Sequence, residues 1–303
     1  MTSFPKKILS IAMFFVFFLN YSFMAFAASY TWAEQDKVDA DDDKGVNEEF
    51  GTAVALYHDT ANDDTYLAVG IPEEQAAYVF IRESGNTTWT EQARLTPSST
   101  DAGDGFGESI DIHGNHVIVG SPYYQQDDGR IHIYERTGTS WAVEYDNGGT
   151  VTTDNDLFGW SVAIYNGDDT YAAIGMPGDG SDEGRVDLYE HASGTWAKSS
   201  MQTTSDGAVN DFFGHSVDIN NDVMIGGAPA GETVYIFDKA GWDANGTEDQ
   251  KITASDGEDG DKYGMSVALD AQNEHAIVAA SEYDISGKTD VGAVYILDES
   301  AGT

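Results

Sequence analysis

Apolar and polar positions alternate along most of this chain, and the alternation itself repeats. A Phe-Gly or Tyr-Gly pair occurs at Phe50-Gly51, Phe106-Gly107, Phe158-Gly159, Phe213-Gly214 and Tyr263-Gly264. Each pair opens a run with large apolar residues at i and i+2, such as Ser161-Val162-Ala163-Ile164 or Ser216-Val217-Asp218-Ile219. That is the period of a β-strand, here strand A. Strand B follows a short polar turn and is apolar on both faces, as in Val117-Ile118-Val119. It ends in Gly-x-Pro at Gly70, Gly120, Gly175 and Gly227, where proline stops the ladder for want of an N–H. The fifth copy reads Ala279-Ala280-Ser281 and lacks the proline. Strand C comes next, for example Ile131-His132-Ile133-Tyr134, and a tryptophan then introduces strand D at Trp89, Trp141, Trp196 and Trp242.

Four short antiparallel strands in each unit of roughly 50 residues predict an all-β fold, a β-propeller of four-stranded antiparallel blades. Five registered units predict five blades. Trp32-Ala33-Glu34-Gln35 matches Trp89-Thr90-Glu91-Gln92, so a strand D precedes the first Phe-Gly, while the last unit stops after strand C at Leu297. The N-terminal outer strand, Trp32 to Val38, is therefore expected to pair with Val294–Leu297 and close the ring without an exposed edge. Ahead of it, Lys6 and Lys7 precede an uncharged run that ends Ala25-Phe26-Ala27, the form of a secretory signal peptide over residues 1–27. Residues 28–303 then form a single propeller domain. The expected location is outside the cell or on its surface, with the periplasm as the alternative, and no membrane insertion after signal removal.

Charge narrows the partners. The chain of 303 residues has 53 Asp plus Glu against 14 Lys plus Arg, a formal charge of −39. Clustered basic residues for phosphate binding are missing, so no nucleic acid is expected as a partner. With no cysteine there is no disulfide framework, thiolate nucleophile or Cys-ligated metal.

A Phe-Gly pair followed tens of residues later by Gly-x-Pro resembles the FG-GAP repeats of integrin α-subunit propellers. It is closer still to a bacterial secreted branch whose unit reads like Thr253-Ala254-Ser255-Asp256-Gly257 through Gly260-Asp261-Lys262-Tyr263-Gly264-Met265-Ser266-Val267. The resemblance implies an extracellular propeller engaged in adhesion or binding, and in integrins it implies calcium. Integrin-type sites resemble Asp-x-Asp/Asn-x-Asp-Gly-x-x-Asp in the turn between strands A and B. None of the five turns here has that spacing, and only the first, with Asp59 and Asp63, is long enough to wrap an ion.

Acidic D–A loops supply further candidate Ca²⁺ ligands: Asp39, Asp41 and Asp43 in the first, and Asp256, Asp259 and Asp261 in the last. The structural alternative is that an acid two residues before each Phe/Tyr-Gly caps its own turn. Tyr123, Tyr124 and Trp160 break the repeat and, with Asp127 and Asp128, are candidate partner-binding residues. They fall on the face where the D–A and B–C loops emerge together. The seven histidines show no metal-ligand spacing, and the nearest pair, His113 and His116, reads as a surface turn. Asp111 and Asp218 are the acids on strand A, and their equivalent positions argue against differentiated acid and base roles. The expected function is a secreted, non-catalytic binding or adhesion propeller that meets an extracellular protein or glycan with help from divalent cations. The alternatives are a carbohydrate-active enzyme (glycosidase or lyase) on the same scaffold, and a structural surface component.

Overall fold

The alternating runs become strands in the registers that the repeat prescribes. The computed structural model describes residues 36–38, 49–98, 103–148, 155–242, 246–270, 275–285 and 287–299. All belong to one unit, Asp36–Thr303. The first sheet is β1 (Val54–Asp59), β2 (Asp64–Ile71), β3 (Ala76–Arg82) and β4 (Thr90–Leu95). The second is β5 (Ser109–His113), β6 (His116–Ser121), β7 (Arg130–Thr137) and β8 (Ser140–Gly148). The third is β9 (Ser161–Asn166), β10 (Thr170–Met176), β11 (Arg185–Ala192) and β12 (Thr195–Gln202). The fourth is β13 (Ser216–Ile219), β14 (Val223–Ala228), β15 (Thr233–Asp238) and β16 (Gln250–Ile252). The fifth is β17 (Tyr263–Leu269), β18 (His275–Ala280) and β19 (Ala293–Asp298). Within each sheet the strands pair antiparallel in A-B-C-D order. The A strands β1, β5, β9, β13 and β17 touch one another in that sequence, which makes them the inner strands of a propeller-like array.

The core lies between blades. Ala77 and Val79 of β3 meet Phe106 and Ile110 of the second blade. Ile131 and Ile133 of β7 meet Phe158 and Val162 of the third. Val186 and Leu188 meet Phe213 and Val217, and Val234 meets Tyr263 and Val267. Burying one such side chain contributes about 1.5–3 kcal/mol, so the four interfaces carry most of the apolar stabilisation.

Two glycines of each unit meet across these interfaces. A Cβ added to Gly70, Gly120, Gly175 or Gly227 would lie 2.0–2.1 Å from the carbonyl oxygen of Gly107, Gly159, Gly214 or Gly264 in the next blade. The Gly of Gly-x-Pro is therefore required by close backbone approach to the Gly of the next Phe/Tyr-Gly. Ser109, Ser161 and Ser216 fasten the same corner, each hydroxyl donating to the carbonyl of Gly159, Gly214 or Gly264 at 2.7–2.8 Å.

The two ends of the array differ from the closed ring expected from the repeat phase. The Asp36 carboxylate accepts the Trp89 N–H at 3.1 Å, and Val38 packs beside Phe50 as Leu95 packs into the cluster around Phe106. Residues 36–38 thus sit where a preceding strand D would finish. Trp32 to Gln35, the rest of the expected closing strand, lie outside the described residues. Among those described, β19 pairs with β18 alone. Val294 and Ile296 are 65% and 69% exposed, and so are Val54 and Leu56 at 64% and 66%. Ala279 departs from the repeat at this end. It pairs with Val294 as Gly227 pairs with Val234. It therefore occupies the position that glycine holds at the four internal corners.

Candidate functional site

The D–A corners share an unusual backbone. The residue before each aromatic is left-handed in all five blades: Glu49 (φ 58), Gly105 (φ 73), Leu157 (φ 60), Phe212 (φ 59) and Lys262 (φ 62). For bulky apolar residues that conformation costs on the order of 1–3 kcal/mol and persists only where surrounding contacts impose it. The acid two residues before the aromatic helps to impose it. Asp211 accepts the Ala208 N–H at 2.8 Å and Asp261 accepts the Glu258 N–H at 2.6 Å. This is the capping role expected of a repeated corner acid.

The B–C loops lock onto these corners. Tyr123 N–H donates to the Asp104 carbonyl, Gly178 to Asp156 and Glu282 to Asp261, at 3.0–3.2 Å. Between blades, Leu157 N–H donates to the Asp127 carbonyl at 2.8 Å and Phe158 N–H to that of Asp128 at 3.1 Å. Phe212 and Phe213 bond in the same way to Asp182 and Glu183. Both loop sets therefore emerge on one face, as the strand directions required.

On that face the strained corners present an apolar groove of about 330 Å³, lined by Leu157, Trp160, Phe212, His215 and Met265 with Pro177 and Pro229. The position two residues after the corner aromatic holds Thr52, Glu108, Trp160, His215 and Met265 in successive blades. Only the last three blades place a large apolar or aromatic group there. Trp160 lies 5.5 Å from the His215 ring and meets Tyr123 edge-on at 6.4 Å. Burial lowers the His215 pKa, so the groove holds a neutral imidazole at pH 7. At the equivalent position of the second unit, burial raises the Glu108 pKa, and the charges of Glu49 and Glu73 add to the rise.

Of the candidate partner residues, Trp160 and Tyr123 come together at this groove. Tyr124 lies beneath the Arg130 guanidinium at 4.8 Å. Asp127, left-handed at φ 67, and Asp128 give their carbonyls to the next corner. Asp127-Asp128-Gly129-Arg130 recurs as Asp182-Glu183-Gly184-Arg185 with the same bonds, so the two acids belong to the repeat.

Most of the described calcium candidates accept hydrogen bonds of their own. Asp59 accepts the Ala61 N–H at 2.9 Å and the Asn62 amide at 2.8 Å, and the Asn62 bond holds its carboxyl below the usual range. Asp63 accepts from the Ser84 hydroxyl at 3.0 Å. Asp256 accepts from Tyr283 and Tyr295 at 3.0 and 2.9 Å. Asp261 is buried in its turn, Asp259 is exposed, and Asp39, Asp41 and Asp43 lie outside the described residues. Among the described residues one group of three side chains brings metal-ligating atoms within 4.8 Å of one another: His116, Glu144 and His191. Sequence spacing hid it because the three come from three strands of two blades. His116, expected on a surface turn, is 3% exposed.

Asp111 and Asp218 bridge inner strands. Asp111 accepts the N–H of Ile112 at 2.8 Å and of Ile164, in the next blade, at 2.7 Å. Asp218 does the same with Ile219 and Leu269. Burial, with the charge of Asp218, pushes Asp111 up to about 7, and burial pushes Asp218 up to about 6.

Three segments of the chain, residues 89–134, 196–237 and 247–297, match the FG-GAP repeat. The chain carries FG-GAP repeats, as its Phe-Gly and Gly-x-Pro signatures indicate. No curated protein sequence matches it significantly. Among solved structures, hydrazine synthase from Kuenenia stuttgartiensis aligns with a TM-score of 0.53 at 9% identity, over 88% of this chain and 67% of that one. A putative 6-phosphogluconolactonase from Bacteroides uniformis aligns at 0.53 and 9%, over 82% and 68%. A prolyl endopeptidase aligns at 0.45 and 14%, over 77% of this chain, which spans 31% of that enzyme. At these identities the likeness extends to the fold alone. The described residues include no helix long and apolar enough to cross a membrane.

Proposed function

We propose that this protein is a secreted, non-catalytic binding propeller whose ligand-contacting surface is the groove around Trp160, His215 and Met265. The observation that carries this reading is the break in symmetry at one repeat position, where three adjacent blades replace Thr or Glu by apolar and aromatic groups on strained corners. A packing role would recur in every blade. The partner class is an extracellular protein segment with an apolar anchor and basic flanks, since the surrounding loops are acidic and steer positive charge toward the groove. A glycan ring stacked on Trp160 is the other class. Calcium enters as a counterion that relieves the charge of −39 rather than as the occupant of a preformed cage. An array of extracellular proteins and glycans, probed with the mature protein and with a Trp160→Ala/Met265→Ser variant, tests the reading. Binding retained by a folded variant would remove the groove from consideration. Asp111 and Asp218 favour a second reading, hydrolysis by paired carboxylates, because both titrate near neutrality. Each already accepts two backbone N–H groups, so turnover of a glycoside panel abolished by Asp111→Asn is the result that would move weight to it.

A further inference from the structure

The repeat supplies its own controls at a position where consecutive blades meet. Strand D of the first three units carries a one-residue bulge, which leaves Gln92, Glu144 and Ser199 outside the ladders β3–β4, β7–β8 and β11–β12. A bulge re-aims a side chain. Gln92 turns to accept the Trp141 indole N–H of the next blade at 2.7 Å, and Glu144 accepts that of Trp196 at 2.8 Å. Beside this latch, a residue among the first three of strand B faces the end of strand C, or the residue just after it, in the following unit. Between the first and second blades the pair is Tyr66 with Arg136, the guanidinium 4.4 Å from the ring. Between the third and fourth it is Tyr171 with Lys239, at 5.0 Å. Between the second and third it is His116 with His191, with ring centroids 5.5 Å apart.

Here, and at neither flanking interface, the aromatic, the cation and the latch residue are all replaced by metal-ligating groups. The two carboxylate oxygens of Glu144 divide between the imidazoles: Oε1 lies 2.8 Å from His191 Nε2, and Oε2 lies 3.2 Å from His116 Nε2. The His116 side chain is 4% exposed, whereas Glu144 and His191 retain 16% and 20%, so water reaches one side. The Trp196 bond fixes the carboxylate from behind, as outer partners of metal ligands do.

We propose that His116, Glu144 and His191 form a site for one divalent transition-metal ion of the Zn²⁺ type, joining the second and third blades. Two imidazoles among three donors favour zinc-like ions over calcium, which takes oxygen ligands. Three protein ligands leave a fourth position for water. The metal-free form holds itself together differently. The Asn166 amide meets His116 Nδ1 at 3.0 Å, which places the proton on Nε2, facing Glu144. Metal binding at Nε2 moves that one proton to Nδ1 and so requires the Asn166 amide, which also donates to Asn115 Oδ1, to turn away from it.

The test is titration of the chelator-treated, full-length mature protein with Zn²⁺, and separately with Co²⁺, in excess Ca²⁺ to occupy surface carboxylates. The expected result is one tight equivalent, a raised Tm, visible bands of four-coordinate cobalt, and a switch of the His116 tautomer in ¹⁵N spectra. Glu144→Gln installs the residue that the first interface uses, so that variant keeps the Trp196 latch and the fold while losing the tight equivalent. His191→Ala loses it too, and Trp196→Phe weakens affinity about 10- to 100-fold. Absence of a tight equivalent, or one unchanged in both Glu144→Gln and His191→Ala, overturns the proposal. So does a Tm that Zn²⁺ leaves unchanged while His191→Ala lowers it, which would make the group a structural latch only.

Discussion

Asp111 and Asp218 show how one residue can join two blades and titrate as a consequence. Each carboxylate accepts an N–H from its own strand and one from the next inner strand, yet burial opposes its charge. Asp111 goes from an ordinary 3.8 up to about 7, first through burial and then through the charge of Asp218. The folded state therefore holds the proton that the unfolded chain has already released. The stability it contributes is present below the unfolded value and is lost as pH rises toward the folded one. Asp111→Asn mimics the protonated form, so thermal melts should show the variant gaining on the parent protein as pH rises from about 4 to about 8. A constant difference across that range would show that Asp111 does not titrate there.

At the element scale, the recurring unit is the corner where strand B of one blade meets the Phe/Tyr-Gly turn of the next. Replacing Gly175 by Ala would place a Cβ 2.0 Å from the Gly214 carbonyl oxygen. Overpacking of that kind costs roughly 1–3 kcal/mol, and backbone on both sides puts this site at the upper end. Ser161→Ala removes one interblade hydrogen bond and should cost about 1 kcal/mol, measured by denaturant unfolding. The sequence showed both glycines and the serine as repeat signatures. It did not show that they touch, because the partners lie about 40 residues apart in different blades. The groove was half legible for the same reason. Trp160 stood out as a departure from the repeat, and His215 and Met265 hold the same repeat position, but that the three line one groove is decided only in space.

For the whole molecule, the exposed Val54 and Leu56 of the first blade and Val294 and Ile296 of the fifth are the two halves of an interface buried four times within the array. They are expected to dock on each other in solution, with Ala279 holding the contact looser than its counterparts. The chain has no cysteine, so a Val54→Cys/Ile296→Cys protein offers one clean pair. Spin labels there should report a short, single distance, and Ala279→Gly should narrow it and raise Tm. A broad distance distribution unchanged by Ala279→Gly would leave the ends apart. The sequence by itself determined the strands and their order within each sheet, because each is set by local alternation, glycine and proline along the chain. It also determined the face on which the D–A and B–C loops gather, since antiparallel strands alternate in direction. Tertiary structure alone decided what happens between blades: the glycine contacts, the bridging carboxylates, the groove, and the meeting of His116, Glu144 and His191. Those depend on residues distant in sequence brought within a few ångströms, and no periodicity along a single chain encodes which side chains face each other across a packed interface.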